Sequence, residues 1–192
     1  MKKIKLLFSL FIFCSFISLS QNAASWTADV SHSNVGFKVS HKAISNTIGD
    51  FRDFDLTVTT SNDNFEGADI KMVIETASIN TANSSRDEHL RSEDFFDAKR
   101  FPKITFTSSS VVLNKDNTYD VKGILSMHGE KKELMLSMTH NGSTTARNGS
   151  ELAGLYFSTI FSRSDFKIGE DMPTSVVADD ILLNAEIEII KQ

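Results

Sequence analysis

The chain has 192 residues, of which 40% are hydrophobic and 23% charged, so it is long enough for one domain with a substantial core. Its formal net charge is −5, and without residues 1–24 it carries 17 basic against 25 acidic residues, a net charge of −8. A domain this acidic is not expected to bind nucleic acid, because phosphate groups require a positively charged surface. Two prolines and one cysteine exclude a collagen or a disulfide-based scaffold.

Residues 1–24 have the layout of a secretory signal peptide. Three lysines precede an apolar stretch at about 6–19, and small residues follow that stretch. A transmembrane anchor would need about 20 apolar residues, which is more than this stretch provides. The pattern predicts cleavage after Ser20 or Ala24 and export of a mature domain that covers residues 25–192.

Alternation of apolar and polar residues dominates the mature domain. In one typical segment, Val35, Phe37 and Val39 alternate with Gly36 and Lys38. Because successive side chains of a β-strand point to opposite faces, each such segment has one apolar face. The alternation predicts eight antiparallel strands, near residues 26–41, 47–60, 67–79, 102–113, 118–127, 132–141, 151–163 and 177–190.

Turn residues separate these segments, among them His128-Gly129 and the Asn-Gly pairs at 141–142 and 148–149. No linker or internal repeat divides the chain, which indicates one domain. Strands with one apolar face must enclose that face in a barrel or between two stacked sheets. The lack of long crossover connections favours an up-and-down barrel.

The expected fold class is therefore all-β, a single eight-stranded antiparallel barrel with a short helical segment near 84–98. That segment is rich in charged residues and shows no alternation, and Pro102 bars its continuation. It is expected to pack on the sheet or across one end of the barrel.

Motifs for catalysis or metal binding are weak. The spacing of the five histidines predicts no metal site, since they are scattered along the chain at His32, His41, His89, His128 and His140. No nucleophile elbow and no phosphate-binding loop is found. The group Arg86, Asp87 and His89 could supply an acid and a base, although a structural role at a helix start is the preferred interpretation. Arg163 and Asp165 could similarly form a structural pair at a strand end.

Phenylalanine is abundant, with 15 in the chain and 11 in the mature domain. These rings either form an ordinary core or line a barrel lumen that is apolar enough for a lipid. Twelve inward-facing positions are the candidate ligand-binding residues: Phe37, Val39, Phe54, Leu56, Met72, Ile74, Phe106, Leu125, Leu136, Met138, Phe157 and Phe161.

Several motifs, in order along the mature domain, resemble the YceI-like family of polyisoprenoid-binding, lipocalin-like proteins. They are WTADVSHSNVGFKVSH at 26–41, GDFRDF at 49–54, RDEHLRSEDFFD at 86–97, FPKITFTS at 101–108, GILSMHG at 123–129 and RSDF at 163–166. Family members often have Thr-Lys after the His-Gly turn and Gly after Asp-Phe, whereas this chain has Glu130-Lys131 and Lys167.

The resemblance implies a periplasmic, lipocalin-like barrel that acts as a carrier or scavenger of one polyisoprenoid or similar long-chain amphiphile. No catalytic residue, metal or cofactor is implied, apart from a bound isoprenoid or fatty-chain lipid. The alternative is an enzyme that uses Arg86, Asp87 and His89 on a bound amphiphile. The expected partner is a hydrophobic small molecule, and the sequence leaves a homodimer open. Stable membrane insertion is not expected, because the charged segment and the lack of aromatic girdles do not fit an outer-membrane barrel.

Overall fold

The structure, a computed structural model, describes residues 23–62 and 64–192. The expected signal peptide lies outside the described residues except for its last two positions, Ala23 and Ala24. In the described part no helix combines the length and the apolar character that crossing a membrane requires.

The described chain is almost entirely β-structure, with one short helix. The helix α1 is Ser84–Arg91, and the strands are β1 Ala24–Ala28, β2 Asn34–His41, β3 Ser45–Phe51, β4 Phe54–Thr60, β5 Asp69–Glu75, β6 Ile79–Asn80, β7 Lys103–Leu113, β8 Thr118–Met127, β9 Glu130–Thr145, β10 Glu151–Ser162 and β11 Val177–Lys191.

Eight of these strands close into a barrel, in the order β1-β4-β5-β7-β8-β9-β10-β11 and back to β1. All neighbouring pairs are antiparallel, so the predicted eight-stranded barrel is confirmed. Strands β2, β3 and β6 continue the sheet from the first part of β11, beyond the stretch of β11 that pairs with β1.

The predicted strand at 26–41 is two strands, separated by a 3₁₀ turn at Val30–His32. The Asp29 carboxylate starts this turn by accepting a hydrogen bond from the Ser31 N–H at 2.9 Å. Side chains of Asp residues commonly compete with sheet hydrogen bonds in this way. The interruption shifts β1 and β2 onto different parts of β11.

The predicted strand at 47–60 is likewise two strands, because the chain changes neighbours at Arg52 and Asp53. Before this point β3 pairs with β2, and after it β4 pairs with β1 and β5. The turn predicted at Asn141-Gly142 is also wrong. These residues lie inside β9, where Asn141 is an unpaired bulge opposite the Gly154–Leu155 step of β10.

The helical segment is shorter than predicted, since α1 ends at Arg91 and turns follow it up to β7. The Asn83 side chain caps the helix by accepting from the Arg86 N–H at 3.0 Å. The Arg91 guanidinium then donates to the carbonyls of Ala77 at 2.7 Å and Ile79 at 2.8 Å. These hydrogen bonds connect the end of α1 to the segment 77–79 that precedes it in the chain.

The two ends of the barrel interior differ in how completely side chains fill them. One half, the packed end, is filled by buried side chains, among them Trp26, Val58, Phe65, Tyr119, Val121, Met138, Leu155, Ile187 and Ile189. At the other end, the mouth, three connections meet: the β5–β7 connection that contains α1, the β8–β9 turn, and the β10–β11 connection. The candidate functional site lies between the packed end and the mouth.

Candidate functional site

An apolar cavity of about 130 Å³ occupies the mouth half of the barrel. Inward-facing side chains of the strands line most of it, and the segment around α1 adds Leu90, Phe95 and Phe96. A cavity of about 150 Å³ lined by Leu, Ile and Phe stays dry and binds benzene, so this cavity favours apolar occupants over water.

Ten of the twelve candidate residues named from the sequence line this cavity: Phe37, Val39, Leu56, Met72, Ile74, Phe106, Leu125, Leu136, Phe157 and Phe161. Phe54 and Met138 do not. Phe54 is buried opposite Ile74, and Met138 is buried opposite Tyr119 in the packed end. Alternation determines the face to which a side chain points, but not its depth along the barrel.

The sequence analysis did not include several other residues that line the cavity, although the sequence pattern indicated most of them. Ile104 and Leu134 stand two residues before Phe106 and Leu136 in the same alternating rows, and Leu183 stands in the alternating row of the strand predicted at 177–190. Leu90 and Phe96 are apolar residues in a charged segment, which indicates a buried face on that segment.

Only two polar side chains line the cavity within the described chain, Thr159 and Arg163, and both already use their hydrogen-bond donors. The Thr159 hydroxyl donates to the Met135 carbonyl at 2.9 Å. A ligand in the cavity therefore finds no free donor among the lining side chains.

Arg163 is 5% exposed and braces the β10–β11 connection from inside. It makes no ion pair with Asp165 in the described part of the chain, so that prediction is wrong. Instead its five N–H groups donate at 2.6–3.2 Å to the backbone carbonyls of Ile168, Gly169, Met172, Val177 and Ala178.

Asp179 completes the surroundings of Arg163. Burial alone would raise the pKa of Asp179, but hydrogen bonds from the Ser164 hydroxyl at 2.7 Å and N–H at 3.0 Å lower that pKa below its ordinary value. The positive charge of Arg163 contributes to the lowering. The acid is thus kept ionised near the buried cation.

The mouth is held together by contacts between its three connections. The Nδ1 atom of His128 lies 2.9 Å from the Phe166 carbonyl, and the His128 ring packs edge-on against Phe101 at 4.8 Å between ring centroids. Lys167 forms an ion pair with Glu130, with 2.5 Å between Nζ and Oε1, and the hydrogen bond from Lys167 lowers the pKa of Glu130. The two departures from the family pattern are therefore partners across the mouth.

The Arg86, Asp87 and His89 group does not assemble as an acid–base site. Asp87 is buried and accepts from the N–H and hydroxyl of Thr81, while Arg86 donates to the Thr81 hydroxyl at 2.7 Å and carbonyl at 2.9 Å. His89 is half exposed and bonds to Asp94 instead. None of the three lines the cavity.

One group in the described residues brings three potential metal ligands together, which the histidine spacing did not indicate. Atoms of Asp29, His32 and Glu188 lie within 4.8 Å of one another outside the cavity lining. The Nδ1 atom of His32 is 3.0 Å from Asp29 Oδ2 and 3.9 Å from Glu188 Oε1. Asp29 also bonds to Ser31, so these contacts brace the turn between β1 and β2.

This group predicts two opposite pH dependences. Hydrogen bonds to Asp29, the strongest from Ser31 and the next from His32, lower the pKa of Asp29 to about 2. The stability that ionised Asp29 adds to the fold is therefore lost as the pH falls from about 4 to about 2. The hydrogen bond with Asp29 raises the pKa of His32 above its ordinary value of 6.5. The stability that protonated His32 adds to the fold is full below pH 6.5 and is lost as the pH rises through the raised pKa. In an NMR titration, Asp29→Asn should return the His32 midpoint toward 6.5, and Glu188→Gln should lower it less. An unchanged midpoint in Asp29→Asn would contradict the assignment.

A second hollow, of about 720 Å³, lies at the opposite end of the molecule. Its walls mix aromatic residues, Trp26 and Phe65, with polar ones such as Asn62 and Gln192. The ion pair between Lys191 and Glu151 stands in it, 2.6 Å between Nζ and Oε2. It is a surface groove open to solvent, without the enclosed apolar character of the barrel cavity.

Comparison with known proteins agrees with this architecture. The family model described as the YceI-like domain matches residues 26–189. A UPF0312 protein of Pseudomonas putida is 35% identical over 161 residues, which cover 84% of this chain and 82% of the relative.

Several solved structures share the fold, and two of them illustrate the range of identity. The YceI protein of Campylobacter jejuni is 34% identical, with a TM-score of 0.70 over 85% of this chain and 96% of its own. A polyisoprenoid-binding domain from Saccharophagus degradans has a TM-score of 0.67 over 87% of this chain and 98% of its own. At 15% identity, the latter shows likeness of fold alone.

Proposed function

The chain belongs to the YceI-like family, and from this premise we propose that it binds one isoprenoid or similar long-chain lipid in its barrel, as an exported carrier or scavenger in the periplasm. The observation that carries the proposal is the apolar cavity, in which no lining side chain offers a free hydrogen-bond donor. The polyisoprenoid-binding domain of Saccharophagus degradans has the same fold and supports the ligand class.

The lipid enters with its tail first. A polar head group inside the cavity would lose its hydrogen bonds to water and gain none, which costs several kcal/mol. The head therefore stays at the mouth, where ionised groups such as Lys167 and Glu130 meet water.

The cavity holds only part of a long chain, because about 130 Å³ is close to the space that benzene occupies in a protein interior. The rest of the lipid must lie among half-buried side chains that line the cavity, such as Phe37, Leu90, Phe96 and Phe161. Met72, with its flexible thioether, suits a ligand that slides between such groups. Binding thus requires these side chains to rearrange.

Affinity is expected to follow chain length. Each buried CH₂ contributes about 0.8 kcal/mol, so straight-chain alcohols from octanol to tetradecanol should bind about fourfold more tightly per added carbon. The gain should cease when the added carbons extend past the mouth. Isothermal titration of lipid-free protein measures this series, and an affinity independent of chain length would contradict tail-first burial.

The native ligand can be identified by organic extraction of protein purified from its periplasmic fraction, followed by mass spectrometry. We expect a stoichiometric amphiphile with a long apolar chain. Recovery of no lipid, together with no binding of any alcohol in the series, would refute the carrier function.

The mass of the intact protein in the same sample locates the cleavage site. Strand β1 begins at Ala24, so cleavage after Ser20 leaves the whole strand in the mature chain.

The proposal contains no catalytic step. The acidic and basic groups of the enzyme alternative, Arg86, Asp87 and His89, lie outside the cavity lining and bond to Thr81 and Asp94. A bound lipid is therefore expected to be recovered chemically unchanged.

A further inference from the structure

The ring of Phe37 lies against a wall position that is free only because residue 49 is glycine. Gly49 of β3 is directly opposite Phe37 of β2. A Cβ at position 49 would lie 2.4 Å from Cζ of Phe37 and 2.8 Å from Cγ2 of Thr81. Gly49 is not in the left-handed region, so its backbone conformation is one that alanine can adopt. The glycine is thus required by its side-chain neighbours, above all the Phe37 ring, and not by the backbone.

Aromatic neighbours limit where that ring can move. Phe37 packs against Phe51 at 5.9 Å between ring centroids, and Phe51 packs edge-on against Phe96 at 6.0 Å. All three rings line the cavity. A methyl group at position 49 would push the Phe37 ring off the wall, and with Thr81 and Phe51 beside it the ring has to turn into the cavity.

We propose that Gly49 sets the width of the cavity on its mouth side and so admits chains that carry methyl branches. This inference rests on the proposed function and deepens it by naming a residue that determines specificity. An isoprenoid has a methyl branch on every fourth carbon of its main chain, which makes it wider than an unbranched chain of equal length. A cavity narrowed by the Phe37 ring discriminates against the branched chain first.

The test compares farnesol with 1-dodecanol, since both have a 12-carbon main chain, to which farnesol adds three methyl branches and three double bonds. The saturated 3,7,11-trimethyl-1-dodecanol, titrated in parallel, separates the effect of the branches from that of the double bonds. Isothermal titration of the lipid-free full-length mature protein gives both affinities. In Gly49→Ala, the affinity for farnesol should fall at least about tenfold further than that for dodecanol. The triple variant Phe37→Leu/Gly49→Ala/Thr81→Ser should recover farnesol binding, because it removes both side-chain groups that the new methyl group would meet and keeps the hydroxyl of residue 81.

Gly154→Ala is the matched control. Gly154 is also a strand glycine, and a Cβ there would meet only Asn141, at an ordinary 3.5 Å. It should change neither affinity. Equal losses of both alcohols in Gly49→Ala, or an unchanged affinity for farnesol, would overturn the inference.

Two further outcomes are distinguishable. If circular dichroism shows that Gly49→Ala is not folded, Phe37→Leu alone decides the matter, because its wider cavity should raise the farnesol-to-dodecanol affinity ratio. An unchanged ratio overturns the inference. Wild-type protein that binds neither alcohol contradicts the proposed function and this inference together, whereas wild-type binding of both with no effect of branching in the variants contradicts this inference alone.

Discussion

Replacement of Arg163 by methionine is expected to lower the free energy of unfolding by about 3–5 kcal/mol. Methionine has an apolar side chain of similar length but no donor, so the substitution leaves five backbone carbonyls of the β10–β11 connection without their hydrogen bonds. Each buried unsatisfied acceptor costs about 1–3 kcal/mol, and the total is reduced because part of the connection can turn toward water. At about 2–4 °C per kcal/mol, the melting temperature should fall by roughly 6–20 °C.

Urea denaturation followed by the fluorescence of Trp26, the only tryptophan, measures the effect of Arg163→Met. Arg163→Lys should recover only part of the loss, because a compact ammonium group cannot reach five carbonyls that surround a planar guanidinium. The control is Arg100→Met, since Arg100 is exposed and its guanidinium only covers the Phe101 ring at 5.0 Å. Unfolding of Arg163→Met at the same urea concentration as Arg100→Met would contradict the bracing role.

Replacement of Met72 by tryptophan is expected to reduce the affinity for dodecanol at least about hundredfold. Met72 lines the cavity between Leu56 and Phe106 on the neighbouring strands. An indole at this position displaces about four methylene groups of the ligand, which is worth about 3 kcal/mol. The loss follows from occupied space and does not depend on any polar contact.

Ile160→Trp is the control for Met72→Trp, since Ile160 is 64% exposed on β10 and an indole there faces solvent. Overpacking of a core costs about 1–3 kcal/mol, so circular dichroism must first show that Met72→Trp is folded. Wild-type affinity in a folded Met72→Trp protein would place the ligand outside the barrel.

The architecture was largely predictable, because it follows from a local pattern. Strand β8 was predicted at its observed ends, 118–127, since alternation and flanking turns both mark them. The breaks at Asp29 and at Arg52 were not predicted. The apolar positions change parity at both breaks, from Trp26 to Val35 and from Phe51 to Phe54, so a signal was present in the sequence. The change of neighbouring strand that separates β1 from β2 and β3 from β4 is, however, a property of the assembled sheet.

For the candidate site, the sequence predicted which side chains point into the barrel but not how far along the barrel axis each one lies. The faces of Phe54 and Met138 were right, yet the register between strands places Met138 in the packed end. The partners of Arg163 could not be read from the sequence at all, because backbone carbonyls carry no residue-specific signal. The pairing of Glu130 with Lys167 was equally hidden, although both had been noticed as departures from the family pattern.

Lys167 shows how the fold tolerates a residue that differs from the family pattern. It adopts a φ of 56°, in the left-handed region where the family often has glycine. Such a conformation costs a non-glycine residue about 1–2 kcal/mol, and the ion pair with Glu130 offsets part of that cost.

The packed end of the barrel determines how cargo would move between two membranes. Because buried side chains block that end within the described chain, a molecule in the cavity leaves by the route through which it arrived. The protein then cannot act as a conduit that joins a donor to an acceptor. Under the proposed carrier function, the direction of net transfer would be set by the chemical potential of the lipid in the two membranes, and the protein would alter only the rate at which they equilibrate.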